Sequence, residues 1–143
     1  MSDMQEFVLG IRGMIKLYEK ILGSRCAEYG LSLLELNIIN YLYYNPEKNT
    51  GSDIVEYRML PKANVSKGID SLVRKGYLRR EEDTSDRRRT NLFLLPAAES
   101  LTHEIELARS EYFSCIFEGF SEEQRCEYFE LSEKIRKNVG HKL

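Results

Sequence analysis

Apolar residues recur along the first third of the chain with the spacing of one helix face. Between residues 7 and 22 they return every three or four positions, which predicts a long amphipathic helix. A second helix is expected after Ser32, because Ser32 and Glu35 stand in the spacing of a capping box. That helix is apolar on nearly every face up to Asn45 and Pro46, so we expect it at the centre of the fold.

The same helical spacing returns in the C-terminal third of the chain. It runs through residues 101–120 and, after a second capping box formed by Ser121 and Gln124, continues into a final helix. These helices and the first one are too apolar to remain exposed to water. We therefore expect them to pack against the same helices of a second copy across a two-fold axis.

The middle of the chain predicts two shorter helices joined by a tight turn. Thr50 is a suitable N-cap for the first helix, and residues 58–60 form the connection. Pro61 fits the first turn of the second helix, where its missing N–H costs nothing. This second helix extends to about Lys75, and Gly76 supplies the left-handed residue that ends it.

The hydrophobic pattern changes after Gly76. Residues 77–80 and 91–95 predict two short β-strands, and the polar segment 81–89 between them predicts the tip of a hairpin. The expected fold is therefore mainly α, of the α+β kind. It is a winged helix-turn-helix with a two-stranded β wing, flanked by N- and C-terminal dimerisation helices.

The distribution of charge adds a functional direction to this fold. The 143 residues suit one domain, and 42% hydrophobic with 31% charged residues suit a helix-rich globular protein. The net charge is −2, yet residues 58–89 hold ten basic and five acidic side chains, a net +5 against −7 elsewhere. Such a basic island is typical of a surface that binds phosphate, although a solvated charged surface is the alternative.

The outer face of the second short helix carries side chains suited to the major groove of DNA, which is wide enough to admit a helix. Asn64 can pair with adenine, and Lys62 and Lys67 can reach guanine or phosphate. Ser66 can donate to phosphate. We also expect the small residues Ala63 and Gly68 to let this helix approach the groove closely. A solvated helix face is the alternative interpretation.

Three consecutive arginines, Arg87, Arg88 and Arg89, occupy the tip of the predicted wing. Their mutual repulsion favours a counter-charge, and the narrow minor groove of DNA attracts inserted arginine. Asp86 can hold one of these arginines in place as a bidentate partner. A flexible charged loop is the alternative.

Several of these segments resemble the MarR family of winged-helix regulators, over nearly the whole chain. Residues 65–80 match its pattern V-S-R-x-(apolar)-x-x-L-x-x-K-G-(apolar)-(apolar)-x-R. Residues 86–88 match the D-x-R of its wing. Residues 31–36 resemble the start of the family's second helix, and residues 120–123 resemble the start of its last helix.

The resemblance implies a single domain that covers residues 1–143. Residues 31–96 would form the winged helix-turn-helix that binds double-stranded DNA. Residues 1–30 and 97–143 would form the dimerisation helices, so that a homodimer binds a pseudo-palindromic operator. The expected function is a sequence-specific transcriptional regulator of the ligand-responsive repressor kind.

The resemblance also implies roles for single residues. Arg88 would lie at the wing tip with Asp86 as its structural partner. The usual signal in this family is a small effector, often aromatic or phenolic, bound between the dimerisation and DNA-binding regions; the sequence identifies no residues for it. The chain departs from the family's pattern at Leu95 and Ala98, where threonine and glycine are usual, so a helix cap is expected to be lost there.

Two other kinds of binding protein compete with this hypothesis. A winged-helix module that binds only proteins would lack the salt-dependent affinity for duplex DNA that phosphate contacts produce. A thiol-based redox-sensing regulator would use one of the three cysteines. Cys26 falls near the end of the first helix, Cys115 lies on an apolar face and is expected in the core, and Cys126 is expected to be partly exposed.

An enzyme is the least favoured class. His103 and His141 are the two histidines, and the chain shows no Gly-rich phosphate loop and no nucleophile–base pair. We expect no catalytic site, no metal and no cofactor. No apolar run approaches the roughly 20 residues of a membrane span, and no signal-peptide pattern opens the chain, so a cytoplasmic protein without membrane association is expected.

Overall fold

The structure, a computed structural model, describes residues 2–143 as six α-helices and one two-stranded sheet. The helices are Asp3–Arg25 (α1), Leu33–Tyr44 (α2), Gly51–Arg58 (α3), Lys62–Arg74 (α4), Glu99–Ile116 (α5) and Glu122–Gly140 (α6). The antiparallel strands are Leu78–Glu82 (β1) and Thr90–Leu94 (β2), with Leu78 opposite Leu94. The expected winged helix-turn-helix is confirmed. Within the described residues, no helix is both long and apolar enough to cross a membrane.

Three helices, α2, α3 and α6, begin at the caps that the sequence predicts. The Ser32 hydroxyl accepts from the backbone N–H of Glu35 at 3.1 Å, and the Glu35 carboxylate accepts from the backbone N–H of Ser32 at 3.1 Å. Equivalent capping boxes open α3 at Thr50 and α6 at Ser121. Each cap satisfies N–H groups that the first helical turn leaves free, and contributes about 1 kcal/mol.

The turn between α3 and α4 is tight because Met59 is left-handed, with φ 52°. This conformation is uncommon for a residue with a side chain. Pro61 is the N-cap of α4, one residue before the position that the sequence predicts. Gly76 follows α4 with φ 85°, in agreement with its predicted role as the residue that ends the helix.

The hydrophobic core is built around α2. Its Ile38 and Ile39 are fully buried, and α2 contacts α1, α4, α5 and β2. The helices α1 and α5 pack along each other and contribute Leu22, Leu101 and Ile105 to the same core. Each of these buried aliphatic side chains stabilises the fold by about 1.5–3 kcal/mol.

The segment before α3 pairs with β2 at the base of the wing. The Leu92 N–H donates to the Asn49 carbonyl at 2.9 Å, and the Asn49 side-chain amide donates to the Leu92 carbonyl at 3.0 Å. Thr50 also pairs with Asn91 in an antiparallel bridge. The base of the wing is therefore attached to the start of α3.

The join between the wing and α5 lacks a side-chain cap, as the sequence predicts. Leu95 precedes a 3-10 turn at Pro96–Ala98, and neither Leu95 nor Ala98 caps through its side chain. Instead the Ala98 N–H donates to the Leu95 carbonyl at 2.9 Å. Pro96 occupies the start of this turn, where its missing N–H is not needed.

Two surfaces of the chain expose large apolar side chains. The first half of α1 exposes Phe7 (58%) and Ile15 (56%), and α6 exposes Leu131 (50%) and Ile135 (56%). α6 contains no buried residue and contacts the rest of the chain through aromatic rings, among them Phe129 against Phe113 at the end of α5. Burial within its own chain therefore contributes little to the stability of α6.

The cysteines occupy different environments. Cys26 is buried at the end of α1, and burial, with a smaller effect from the charge of Glu104, raises the pKa of its thiol to about 11. Cys126 is exposed. The prediction that Cys115 lies in the core is wrong, because Cys115 is exposed in the single chain. Phe113 faces α6. Cys115 follows two positions later and therefore lies on the opposite side of α5.

Candidate nucleic-acid interface

The helix α4 turns one face toward the core and the opposite face outward. Val65, Ile69 and Leu72 are buried, and so is Gly68. The prediction that Gly68 lets the helix approach DNA is wrong. Gly68 packs against α2, where an added Cβ would lie 2.5 Å from Cδ1 of Ile38. Its missing side chain therefore brings α4 close to the core.

The four side chains of α4 predicted to contact DNA are all exposed: Lys62, Asn64, Ser66 and Lys67. With 3.6 residues per turn, positions 63, 67, 70 and 74 form the row that lies opposite the buried face. Arg74 thus shares an outward row with Lys67. Arg74 is not among the predicted DNA-binding residues, although its spacing of seven residues from Lys67 is the signal of a shared helix face.

A buried carboxylate anchors the C-terminal end of α4 to α2. Glu35 is 6% exposed and accepts hydrogen bonds from the Ser71 hydroxyl at 2.9 Å and from Nζ of Lys75 at 3.0 Å. Burial raises the pKa of Glu35, but the hydrogen bonds from Ser32, Lys75 and Ser71 outweigh burial and leave the pKa below its ordinary value. The group is therefore an ionised link between the two helices, which fixes the orientation of α4.

The wing tip carries the three predicted arginines, and all three are exposed. The predicted partnership of Asp86 with an arginine is present, but it is not a bidentate one. One Asp86 oxygen accepts both the backbone N–H of Arg88 at 3.0 Å and Nε of Arg88 at 3.3 Å. Arg89 turns back toward α3, where its Nη2 lies 3.9 Å from a carboxylate oxygen of Asp53.

Asp83 organises the wing tip, and the sequence analysis did not identify it. Its carboxylate accepts from the Ser85 hydroxyl at 2.7 Å, from the Ser85 N–H at 2.9 Å and from the side chain of Asn91 at 3.3 Å. The hydrogen bonds from Ser85 are the main reason that the pKa of Asp83 falls from 3.8 to about 2. The available signal was local, because an aspartate two residues before a serine is typical of an Asx turn.

Half of the basic island is neutralised inside the chain. Five cations have acidic partners, namely Lys75 with Glu35, Arg79 with Glu81, Arg80 with Asp70, Arg88 with Asp86, and Arg89 with Asp53. Among residues 2–143, no acidic group pairs with the other five, which are Arg58, Lys62, Lys67, Arg74 and Arg87. The cations with an unshared charge thus concentrate on α4 and at the wing tip.

A cavity of about 950 Å³ lies where α1, α2 and α5 meet the α3–α4 turn. The Asn40 side-chain amide donates to the Tyr18 hydroxyl at 2.8 Å, and burial raises the pKa of Tyr18. The buried Oδ1 of Asn37 has no hydrogen-bond partner among the described residues. The guanidinium of Arg109 lies 4.8 Å from the ring centre of Tyr44. The cavity therefore combines aromatic walls, a cation and a free acceptor.

Comparison with solved structures identifies the fold. A MarR transcriptional regulator from Methanosarcina mazei Go1 is 20% identical, with a TM-score of 0.84 over 100% of this chain and 95% of that one. MepR of S. aureus, solved as a DNA complex, is 18% identical, with a TM-score of 0.79 over 96% and 99% of the two chains. BpsR of Bordetella bronchiseptica is 18% identical, with a TM-score of 0.71 over 92% and 98%.

The fold and the exposed face of α4 define a winged helix-turn-helix protein. Residues 29–89 match the sequence model of the MarR family, so the resemblance found in the sequence is confirmed. Members of this family are transcriptional regulators, which agrees with the prediction of a regulator rather than an enzyme. No characterised protein sequence matches the chain at a significant level. Within residues 2–143, no cluster of three His, Cys, Asp or Glu side chains is placed to hold a metal ion.

We predict that protonating Asp83 disorders the wing tip. Because its folded pKa of about 2 lies below the ordinary 3.8, its stabilising effect is present above pH ~4 and is lost as the pH falls through about 2. In an NMR titration, the carboxyl of Asp83 and the backbone amides of Ser85 and Asp86 should share that low midpoint. Asp83→Asn keeps an acceptor oxygen and is the control, in which this pH dependence should vanish. A native midpoint near 4 would contradict the assignment.

Proposed function

We propose that this chain is a ligand-responsive transcriptional repressor that binds a pseudo-palindromic DNA operator as a homodimer. The observation that supports DNA binding most directly is the exposed face of α4. There Lys62, Lys67 and Arg74 have no acidic partner among the described residues. Phosphate contacts from such cations supply most of the affinity of a protein for DNA. The relative MepR was solved as a DNA complex, which adds support.

In this proposal α4 enters the major groove. The exposed amide of Asn64 is suited to adenine, which offers a donor and an acceptor side by side. Lys67 lies on the outermost row of the helix and contacts phosphate or guanine. Lys62 and Ser66 lie nearer the N-terminal end and contact the backbone, which positions the helix but carries no sequence information.

The wing binds the adjacent minor groove in the same proposal. Arg88 inserts there because the minor groove of A·T-rich DNA is narrow and its negative potential is strongest. The side chain of Arg88 is 92% exposed, and Asp86 restricts its conformations before DNA arrives. Arg87 contributes an unshared charge, whereas Arg89 supports the wing against α3 through Asp53.

Selection of bound duplexes from a random DNA pool tests the DNA-binding function. We expect one enriched motif with two inverted half-sites about one helical turn apart, because a symmetric dimer presents two copies of α4. Binding should weaken steeply as salt increases, since phosphate contacts release counterions. A pool without an enriched motif would reject the proposed function in favour of a module that binds proteins.

Charge counting and the geometry of the wing predict opposite effects of Asp86→Ala on DNA affinity, and we expect the effect that the geometry predicts. Arg88→Ala should weaken binding most on operators with A·T-rich flanks and reduce the salt slope by about one unit. Asp86→Ala should also weaken binding, although it removes a negative charge, because Arg88 must then be ordered on contact. Glu130→Ala on α6 is a control that removes the same charge far from α4. Tighter binding by Asp86→Ala at matched salt would show that the wing is only a charged loop.

The homodimer is supported by the apolar side chains that the single chain leaves exposed. Phe7 and Ile15 of α1 and Leu131 and Ile135 of α6 are each about half exposed or more. Soluble monomers rarely expose contiguous apolar surface of this kind. We therefore assign residues 1–30 and 97–143 to a dimerisation region and residues 31–96 to the DNA-binding region.

We expect sedimentation to give twice the chain mass of 16.7 kDa at micromolar concentration. Ile135→Glu should shift the protein toward the monomer, because it buries a charge in the proposed interface. Lys134→Glu adds an acid to the neighbouring, exposed position and should leave the dimer intact. A parent protein that sediments as a monomer would contradict the proposed dimer.

The ligand response is assigned to the central cavity. The cavity has aromatic walls, the cation of Arg109 lies beside Tyr44, and Oδ1 of Asn37 is a free acceptor among the described residues. These features suit a planar aromatic ligand with an acid group and a hydrogen-bond donor. The effector class that fits best is a small aromatic acid that carries a hydrogen-bond donor. The relative BpsR is regulated in its DNA binding by 6-hydroxynicotinic acid, a compound of this class.

We expect 6-hydroxynicotinic acid or a similar hydroxylated aromatic acid to raise the melting temperature and to release operator DNA. Arg109→Gln should weaken this response about tenfold or more, because a charged hydrogen bond is lost. Lys20→Gln, outside the cavity on α1, should respond like the parent. An equal response from Arg109→Gln and Lys20→Gln would place the effector elsewhere.

A further inference from the structure

A groove of about 560 Å³ separates the outer face of α4 from the first strand of the wing. It is lined by the cations Lys67, Arg74 and Arg80, and by one acid, Asp70. A groove with three cations alone would attract phosphate strongly. The acid is therefore the unexpected member of the set, because it weakens this attraction.

Asp70 lies on the outermost row of α4, between Lys67 and Arg74. Its Oδ1 accepts from Nη2 of Arg80, a residue of β1, and its side chain is 57% exposed. The flanking cations Lys67 and Arg74 form no ion pair with it among the described residues. Arg80 therefore fixes the direction of the carboxylate, while Oδ2 accepts no hydrogen bond within residues 2–143.

The carboxylate of Asp70 lowers the affinity for DNA of any sequence. Phosphates repel a carboxylate on the surface that approaches them, and the same carboxylate neutralises part of the charge on Arg80. A lysine, serine or glutamine at position 70 would avoid both effects. The carboxylate becomes favourable only where DNA offers it a hydrogen-bond donor, and in the major groove an acid accepts from the amino group of cytosine.

We propose that Asp70 is a specificity-determining residue, whose carboxylate, held by Arg80, accepts from a cytosine amino group at one operator position and repels DNA of other sequences. This inference rests on the proposed DNA-binding function. Arg80 is a positioning residue in it, because it orients the carboxylate. Discrimination arises from a contact with the correct base and from repulsion everywhere else.

The test repeats the selection from a random DNA pool with Asp70→Ala and Asp70→Asn. Both variants should lose a preference for cytosine at one position of each half-site, by about tenfold. Asp70→Asn should gain adenine there, because an amide pairs with adenine. Affinity for random duplex should rise about threefold to tenfold in both variants, since a repulsive charge is gone. Thermal unfolding checks that these exposed substitutions leave the fold intact.

Two controls separate readout from charge and from structure. Glu130→Gln on α6 removes one negative charge far from the groove and should leave the cytosine preference and the affinity for random duplex unchanged. Arg80→Gln should weaken the cytosine preference and also lower the affinity for random duplex, the opposite sign from Asp70→Ala.

The outcomes distinguish this inference from the proposed function itself. If the parent enriches no motif, the DNA-binding proposal fails. If the parent enriches a motif and the Asp70 variants keep the same base preference at every position, DNA binding stands and the inference is overturned. A rise in affinity for random duplex without a change in base preference would also overturn it, because Asp70 would then act only as a repulsive charge.

Discussion

The close packing of α4 on α2 is the constraint on which the rest of the structure depends. At Gly68 an added side chain would displace Cδ1 of Ile38 and press against the side chain of Leu34. The buried carboxylate of Glu35 then ties Lys75 and Ser71 at the far end of α4. One helix is thus held at two points, and this determines which residues of α4 face outward.

Local signals made most of the architecture predictable. Helix ends are marked by motifs that act within a few residues, namely the capping boxes at Ser32 and Ser121 and the left-handed glycine at position 76. Such local motifs predict from the sequence where these helices begin and end. Periodicity identified the buried face of α4, and the exposed residues Lys62, Asn64, Ser66 and Lys67 follow from it. The predicted bounds of the first wing strand, residues 77–80, are wrong, because β1 continues through the charged residues Glu81 and Glu82.

Several of the errors concern contacts between distant parts of the chain. Gly68 was assigned to the groove because composition cannot tell which neighbour requires a small residue, and only the position of Ile38 decides. The ion pair between Arg89 and Asp53 also joins residues that are far apart in sequence, so the sequence does not reveal it. The charge count overestimated the free cations for the same reason, because pairing with acids such as Asp70 is a tertiary property.

The hydrogen bonds between Asn49 and Leu92 join the wing to the start of α3 rather than leaving it as a free hairpin. The wing and the start of α3 are therefore joined by hydrogen bonds as well as through the chain. In the proposed dimer, an effector bound in the cavity would change DNA affinity by altering the separation and rotation of the two DNA-binding regions. The major groove of DNA returns to the same side about every 34 Å. A displacement of a few ångströms therefore moves one α4 out of line with its groove.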